Sequence, residues 1–140
     1  MNSLKVFIDG GCKGNPGEGA FGFVISDYKG ELYRYGEKLR NCTNNSAEYR
    51  ALIGALLYLL DNGFRSIEQI TVYSDSELLV HQMNQRYKVR SRNLLPLFTK
   101  AKRLAKKFNN ISIEHIRRSD NRVADRIVKR IFDNKTISPQ

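Results

Sequence analysis

The sequence of 140 residues has only two cysteines, Cys12 and Cys42, and no apolar stretch long enough to cross a membrane. Two isolated thiols without metal-ligand spacing favour a reducing compartment over a disulfide scaffold. The longest apolar stretch, residues 51–60, is far shorter than the roughly 20 residues of a bilayer-spanning helix. Residues 1–5 lack the apolar core of a signal peptide. We therefore expect free thiols, no membrane contact and a cytoplasmic location.

Acidic residues are missing from a long central segment. The chain has 24 Lys and Arg against 14 Asp and Glu, a net charge of +10, yet no acidic residue lies between Glu77 and Glu114. The basic residues within that segment are Arg86, Lys88, Arg90, Arg92, Lys100, Lys102, Arg103, Lys106 and Lys107. Such a concentrated positive field suits a polyanion such as nucleic acid. A solvated basic helix face would have the same composition and stays an alternative.

Length and composition indicate a single folded domain. With 41% hydrophobic and 27% charged residues, the chain has the composition of a globular protein. A chain of this length can bury one core but is short for two. No internal repeat, low-complexity segment or linker is present. We predict one domain over residues 1–133, a short polar C-terminal tail over residues 134–140, and a monomer.

Local patterns predict five strands and four helices. The strands are expected over residues 4–8, 20–26, 31–39, 69–74 and 111–116. The helices are expected from the cap candidates at 43–46 up to Asn62-Gly63, and over residues 76–83, 94–108 and 121–132. A turn at residues 27–30 makes the first three strands antiparallel, whereas the later strands need helical crossovers. The sequence therefore predicts an α/β fold in which helices flank a five-stranded mixed sheet.

Four acidic residues occupy places where an apolar or neutral residue is usual. Asp9 and Asp75 follow the first and fourth predicted strands, where open α/β sheets tend to bind ligands, and they meet if those strands are neighbours. Glu48 and Asp125 lie at helical spacing from the apolar residues of their helices, so they face the sheet. Taken singly, each is more typical of a surface charge or, for Asp75, of a helix cap. Only the combination indicates a site.

The chemistry of that combination favours a metal. Converging carboxylates repel one another and take up protons unless cations compensate for their charge. Oxygen ligands without a Cys or His cluster favour Mg²⁺, or Mn²⁺, over zinc. Two such ions roughly 3.5 to 4 Å apart can activate a water and stabilise the leaving oxygen of an in-line phosphoryl displacement. The predicted reaction is therefore phosphodiester hydrolysis.

Four motifs also carry a family resemblance: IDGGCKGNPG at residues 8–17, TNNSAE at 43–48, YSDS at 73–76 and NRVAD at 121–125. In order and spacing they resemble type 1 ribonuclease H over about residues 4–132. The short link between Ser76 and Leu94 resembles the compact form of that family, which lacks a basic protrusion. The resemblance implies a ribonuclease H-like fold. It also implies endonucleolytic hydrolysis of the RNA strand of RNA/DNA hybrids, with two Mg²⁺ ions (Mn²⁺ is possible) bound alongside the substrate, giving 5′-phosphate and 3′-hydroxyl ends.

The same resemblance assigns roles to individual residues. It implies that Asp9, Glu48, Asp75 and Asp125 are the catalytic acids and metal ligands, with Asp9 and Asp75 central. It implies substrate contacts at Gly11, Cys12, Asn15, Thr43, Asn44 and Asn45, of which Thr43 could instead be only a helix cap. Glycines allow close approach of the backbone, and Asn can both donate and accept, which suits recognition of a 2′-hydroxyl. Contacts to the DNA strand are expected from Arg86, Lys88, Arg90 and Arg92, together with the lysine-rich helix.

The chain departs from the family pattern at two positions. Ser119 stands roughly where many members have a loop His, and Glu77 stands where some relatives have a Gln that contacts substrate. His81 and His115 are expected to be structural and not replacements for the loop His. Two alternative functions stay open: a nuclease on the same scaffold that acts on double-stranded RNA or another duplex, and a non-catalytic nucleic-acid-binding module. The second predicts loss of a metal ligand, and none is lost.

Overall fold

The computed structural model describes residues 2–14 and 16–133, which form one five-stranded mixed sheet with helices on both faces. The strands are β1 (Ser3–Cys12), β2 (Gly17–Asp27), β3 (Gly30–Cys42), β4 (Gln69–Ser74) and β5 (Ile111–His115), in the spatial order β3-β2-β1-β4-β5. Strand β2 pairs antiparallel with both β1 and β3, whereas β4 runs parallel to both β1 and β5. The predicted α/β class and mixed sheet are confirmed. Asn15 and the predicted tail, residues 134–140, lie outside the described residues.

The helices of the described residues are α1 (Asn44–Asp61), α2 (Glu77–Met83), α3 (Leu95–Ala105) and α4 (Arg122–Phe132), and a single 3₁₀ turn at Arg118–Asp120 precedes α4. Thr43 begins α1 through a capping box: its hydroxyl accepts from the Ser46 N–H, and the Ser46 hydroxyl accepts from the Thr43 N–H. Ser76 caps α2, because its hydroxyl accepts from the Leu79 N–H. The alternative in which Asp75 serves as that cap is therefore wrong.

Several predicted boundaries differ from the structure. The first strand does not end at residue 8, because Gly10 and Gly11 both pair with β2 and the strand continues to Cys12. The third helix ends at Ala105, although the apolar pattern continues to the buried Phe108. The buried side chain of Phe108, which follows the last helical turn, therefore produced the apolar spacing of a longer helix. The third strand also extends beyond its predicted end, to Cys42.

The sheet carries a core on each face. The larger core lies under α1, α2 and α3, and the smaller one joins Ala20 and Val24 of β2 to Ile127, Val128 and Ile131 of α4. A Cβ on Gly22 would lie 2.6 Å from the Ile127 side chain, so glycine is needed for α4 to lie this close to the sheet. Helices α1 and α4 therefore begin on opposite faces of the sheet near the same end of β1.

Two expectations from the sequence concern the state of the cysteines and membrane-spanning helices. Both cysteines are free, as expected, and the Cys12 thiol donates to the carbonyl oxygen of Cys42 over 2.9 Å. Across residues 2–14 and 16–133, none of the helices combines the length and apolar character required to cross a membrane.

Candidate active site

Asp9 and Asp75 lie side by side where the parallel pairing of β1 and β4 ends. The last paired residues are Ile8 and Ser74, so each aspartate directly follows its strand's final parallel partner. Beyond this point β4 gives way to α2, since the Ser74 hydroxyl accepts from the Ser76 N–H over 3.0 Å. The two strands are neighbours, so the condition for the two aspartates to meet is fulfilled, and the fold places both carboxylates at one edge of the parallel half of the sheet.

Glu48 joins them because α1 passes unusually close to β1. A Cβ on Gly10 would lie 2.4 Å from the carbonyl carbon of Ala47 and 2.7 Å from the nitrogen of Glu48, so only glycine permits this approach. The Gly10 N–H lies close enough to the carboxylates of Asp9 and Glu48 to lower the pKa of each. Glu48 is 8% exposed, and its Oε1 atom has no hydrogen-bond partner among the described residues. Such a buried acceptor without a partner indicates that something else binds there.

Three of the four predicted acids form a compact cluster. One carboxylate oxygen each from Asp9, Glu48 and Asp75 lies within 4.8 Å of the other two. Asp125 is half-buried on α4, and its Oδ2 atom lies 3.0 Å from Nζ of Lys129. Asp125 is still near enough to Asp9 to raise the pKa of Asp9. The structure therefore brings three acids together and places the fourth at their rim, and we call the three the carboxylate cluster.

The electrostatics of the carboxylate cluster favour a cation. Burial, with smaller contributions from Asp75 and Asp125, raises the pKa of Asp9 to about 7. Burial also raises the pKa of Glu48 well above its usual range, and the charges of Asp9 and Asp75 add to the effect. The Gly10 N–H and the Arg118 guanidinium only partly oppose these shifts. An all-oxygen donor set with an unpartnered carboxylate oxygen fits a hard divalent ion such as Mg²⁺ or Mn²⁺.

Asn121 is a residue of this region that the sequence analysis missed. Its side chain is 1% exposed, and its Nδ2 atom donates to the carbonyl oxygen of Ile8 over 2.8 Å and to Oδ2 of Asp75 over 3.2 Å. Asn121 precedes α4 but makes no side-chain cap bond to it. An Asn directly before a helix is ordinarily interpreted as a cap, so its place in the NRVAD motif was the available signal.

The predicted substrate contacts lie where the end of β1 meets the start of α1. The Cys12 N–H donates to Oδ1 of Asn44 over 2.8 Å, which joins the two segments. Asn44 and Asn45 are exposed, and Gly11 is partly exposed. The cap role of Thr43 is confirmed, whereas its contact with a phosphate stays a prediction.

The two departures from the family pattern are both exposed. Ser119 lies in the 3₁₀ turn, beside an open pocket whose lining also includes Asp125 and the basic residues Arg118, Arg122, Arg126 and Lys129. Glu77 lies in the first turn of α2. His81 is on α2 with its ring against Tyr87, and His115 is the last residue of β5. Both histidines therefore lie in the elements expected for them.

The four basic residues proposed for DNA contact occupy the connection between α2 and α3. Arg86, Lys88, Arg90 and Arg92 are all exposed, and none of them lies in a helix or strand. These four therefore do not lie on a helix face, and their contact with nucleic acid stays a prediction. We call residues 84–94 the basic loop. Directly before this loop, Met83 of α2 lies close to α3, because Nζ of Lys102 donates to the carbonyl oxygen of Met83 over 3.2 Å.

Comparison with known proteins gives consistent matches over most of the chain. A family model described as reverse transcriptase-like matches residues 7–131. The chain is 37% identical over 134 residues to the bifunctional protein Rv2228c of Mycobacterium tuberculosis, which covers 93% of the chain and 36% of that protein. It is 34% identical over 132 residues to ribonuclease HI of Halobacterium salinarum, covering 94% of the chain and 65% of the relative. The chain thus spans about a third of the length of the mycobacterial relative.

A solved structure agrees with these matches. The chain is similar to LC11-RNase H1, which was solved in complex with an RNA/DNA hybrid, with 36% identity and a TM-score of 0.87. The match covers 94% of this chain and 97% of that one. The similarity therefore extends over the sheet and the helices that supply the carboxylate cluster.

Proposed function

The chain belongs to the type 1 ribonuclease H family, and on that premise we propose that it hydrolyses the RNA strand of RNA/DNA hybrids. The observation that carries the proposal is the carboxylate cluster, in which three buried or half-buried acids from β1, α1 and the end of β4 lie within 4.8 Å of one another. LC11-RNase H1, a relative of nearly the same extent, binds such a hybrid. Residues 1–133 would form the catalytic domain.

Within this proposal the four acids divide between two ion sites. Asp9, Glu48 and Asp75 would hold one divalent ion, and Asp125 would complete the site of a second ion at the rim. When bound, Mg²⁺ or Mn²⁺ lowers the pKa of water and neutralises charge that develops on the scissile phosphate. The protein fixes the ligands in advance: the paired strands β1 and β4 hold Asp9 and Asp75, and the close approach of α1 to β1 at Gly10 holds Glu48 beside them. The expected products carry 5′-phosphate and 3′-hydroxyl ends.

Substrate contacts follow from the exposed segments beside the carboxylate cluster. We assign RNA contacts to the backbone of Gly11 and Cys12 and to the side chains of Asn15, Asn44 and Asn45, with Thr43 at a phosphate. The bond between the Cys12 N–H and Asn44 keeps β1 and α1 in fixed relation, which supports recognition of 2′-hydroxyls along a single groove. The basic loop would contact the phosphates of the DNA strand.

A panel of substrates tests the proposal directly. Purified protein is incubated with labelled RNA/DNA, RNA/RNA, DNA/DNA and single-stranded RNA, each with Mg²⁺, Mn²⁺ or EDTA. We expect cleavage of the RNA in the hybrid with either metal and none with EDTA. The matched control is Asp9→Asn, which keeps the shape of the side chain and should abolish cleavage while the protein stays folded and binds the hybrid.

Other outcomes of the same panel separate the alternatives. Cleavage of RNA/RNA with the hybrid left intact would replace the proposal with a double-stranded RNA nuclease. Binding of the hybrid without cleavage under either metal would indicate a non-catalytic module. Full activity of Asp9→Asn would remove Asp9 from the site.

A further inference from the structure

Asn121 connects two parts of the carboxylate cluster that are far apart in the sequence. One amide group donates both to the backbone of β1 at Ile8, the residue before Asp9, and to the carboxylate of Asp75. Within the described part of the chain, this is the hydrogen bond that holds the Asp75 side chain. The position of Asp75 relative to Asp9 therefore depends on a neutral residue that is not itself one of the acids.

The orientation of this amide is fixed by its partners. A carbonyl oxygen and a carboxylate oxygen both accept hydrogen bonds, so the NH₂ end of Asn121 must face them and Oδ1 must face the other way. Oδ1 is buried and has no partner among the described residues. An unpaired buried oxygen costs about 1–3 kcal/mol, so an amide at this site is unfavourable for packing alone. Its benefit must come from what the NH₂ group does.

Charge explains why a neutral donor is suited to this task. Asp75 lies close enough to Asp9 and Glu48 to raise the pKa of each, so repulsion pushes the three carboxylates apart when no cation is bound. A Lys or Arg at position 121 would hold Asp75 but would also compete with a metal ion, and an Asp would add to the repulsion. An amide holds the carboxylate and adds no net charge.

We propose that Asn121 is a positioning residue that ties the Asp75 carboxylate to β1 beside Asp9 and so sets the distance between these two metal ligands. The inference rests on the proposed function for the identity of the ligands, and it adds a residue to which no role was assigned. Partners that orient metal ligands typically change metal affinity by about 10-fold to 100-fold when they are removed.

The test measures Mn²⁺ binding without substrate, by calorimetry or by the electron paramagnetic resonance signal of free Mn²⁺. The variants are Asn121→Ala, which removes the donor, and Asn121→Leu, which keeps a similar size and no charge but cannot donate to Asp75. Both should weaken Mn²⁺ binding by about 10-fold or more and should raise the Mg²⁺ concentration needed for half-maximal cleavage. Hybrid affinity in EDTA should stay within about twofold, because a merely structural defect would change it as well.

Asn84→Ala is the matched control. Asn84 Nδ2 donates to the carbonyl oxygen of Ile113 over 2.9 Å, so this variant also removes an amide-to-carbonyl bond that anchors a helix end to a strand, without touching a carboxylate. It should lower the melting temperature in EDTA and leave the Mn²⁺ dissociation constant within about twofold of wild type. If Asn121→Ala fails to fold, the Asn121→Leu variant, which leaves no cavity, decides the result.

The outcomes distinguish this inference from the proposed function. Wild-type protein that binds Mn²⁺ and cleaves hybrid, together with Asn121 variants that bind Mn²⁺ as tightly as wild type, would overturn the positioning role alone. Wild-type protein that binds no Mn²⁺ would overturn both. Equal losses of Mn²⁺ affinity in Asn84→Ala and Asn121→Ala would show a general effect of destabilisation, and would also overturn the role.

Discussion

The carboxylate cluster and the basic loop carry opposite charge and are held by the fold in opposite ways. Asp9, Glu48 and Asp75 come from β1, α1 and the end of β4, and buried contacts fix their positions. The charged side chains of the basic loop lie within residues 86–92, and all four of these charged side chains are exposed. A cluster built from distant elements depends on geometry, so single changes should have large and non-additive effects. An exposed loop depends on the number of charges, so its changes should be small and additive.

The largest expected effect comes from Glu48→Gln. This variant keeps the shape of the side chain but removes a charge from the centre of the carboxylate cluster, so single-turnover cleavage should fall on the order of 10³-fold or more. The same variant should melt at a higher temperature in EDTA, because a buried carboxylate without compensation is lost. Activity and stability should therefore change in opposite directions.

Asp125→Asn is the comparison for that variant. Asp125 lies at the rim and is paired with Lys129, so its loss should reduce cleavage about 10-fold to 100-fold and should hardly change the melting temperature in EDTA. Equal losses of activity in the two variants would remove the distinction between the centre and the rim.

The next effect is the pH dependence of stability without metal. Asp9 has a pKa of about 7 in the folded protein against 3.8 as its ordinary value, so the folded state binds its proton more tightly than the unfolded state does. The resulting stabilisation is fully present below pH 3.8 and is lost as the pH rises through 7. At about 1.4 kcal/mol for each pH unit between the two values, the loss is at most about 4 kcal/mol. Glu48 acts in the same direction.

Urea unfolding in EDTA at pH 5 and pH 8 measures this loss. The free energy of unfolding should be lower at pH 8, and the difference should shrink in Asp9→Asn and with saturating Mg²⁺. Removing the charges of the basic loop should leave the difference unchanged. A free energy of unfolding that rises from pH 5 to pH 8 would contradict the burial of Asp9 as the dominant influence.

Gly10→Ala should lower the free energy of unfolding by less than the full pH-dependent loss that is expected from Asp9. The added Cβ would lie 2.4 Å from Ala47, so α1 must move away from β1, which costs about 1–3 kcal/mol. The shift also separates Glu48 from Asp9, and a misplacement of about 1 Å can reduce cleavage about 10²-fold. Gly11→Ala is the stability control, since its Cβ would meet only Phe132 and Val128, at 3.9 Å. Similar melting temperatures for the two variants would contradict the close approach of α1.

The same two glycines show how far local sequence determines this fold. Within the described residues, alternation and helical spacing were enough to predict the five strands and the four α-helices in their order along the chain, but not the 3₁₀ turn. They failed at Gly10-Gly11, beyond the predicted end of the strand at residue 8, because the strand continues through both glycines and Gly10 is required by the helix that passes over it. The local pattern of β1 does not show what packs on it.

The candidate site, like the fold, could be predicted from the sequence only in part. Glu48 could be placed facing the sheet because its helix has a clear apolar stripe, and Asp9 and Asp75 could be paired through the parallel strands. Asn121 was missed, because its burial depends on a contact with Ile8, 113 positions earlier in the chain. Such a long-range polar contact leaves no periodicity in the sequence, so only the place of Asn121 in the NRVAD motif marked it.

The smallest single effects are expected in the basic loop. Alanine in place of Arg86, Lys88, Arg90 or Arg92 should each weaken hybrid binding only a few-fold and lower the slope of log K against log salt by about 1, with the rate at saturating substrate unchanged. Lys29→Ala, at the exposed β2–β3 turn, is the control for loss of any positive charge. Affinities measured by fluorescence anisotropy at several salt concentrations decide the result. If Lys29→Ala weakens hybrid binding as much as the loop variants do, affinity depends on net charge alone, and the basic loop makes no specific contribution to binding.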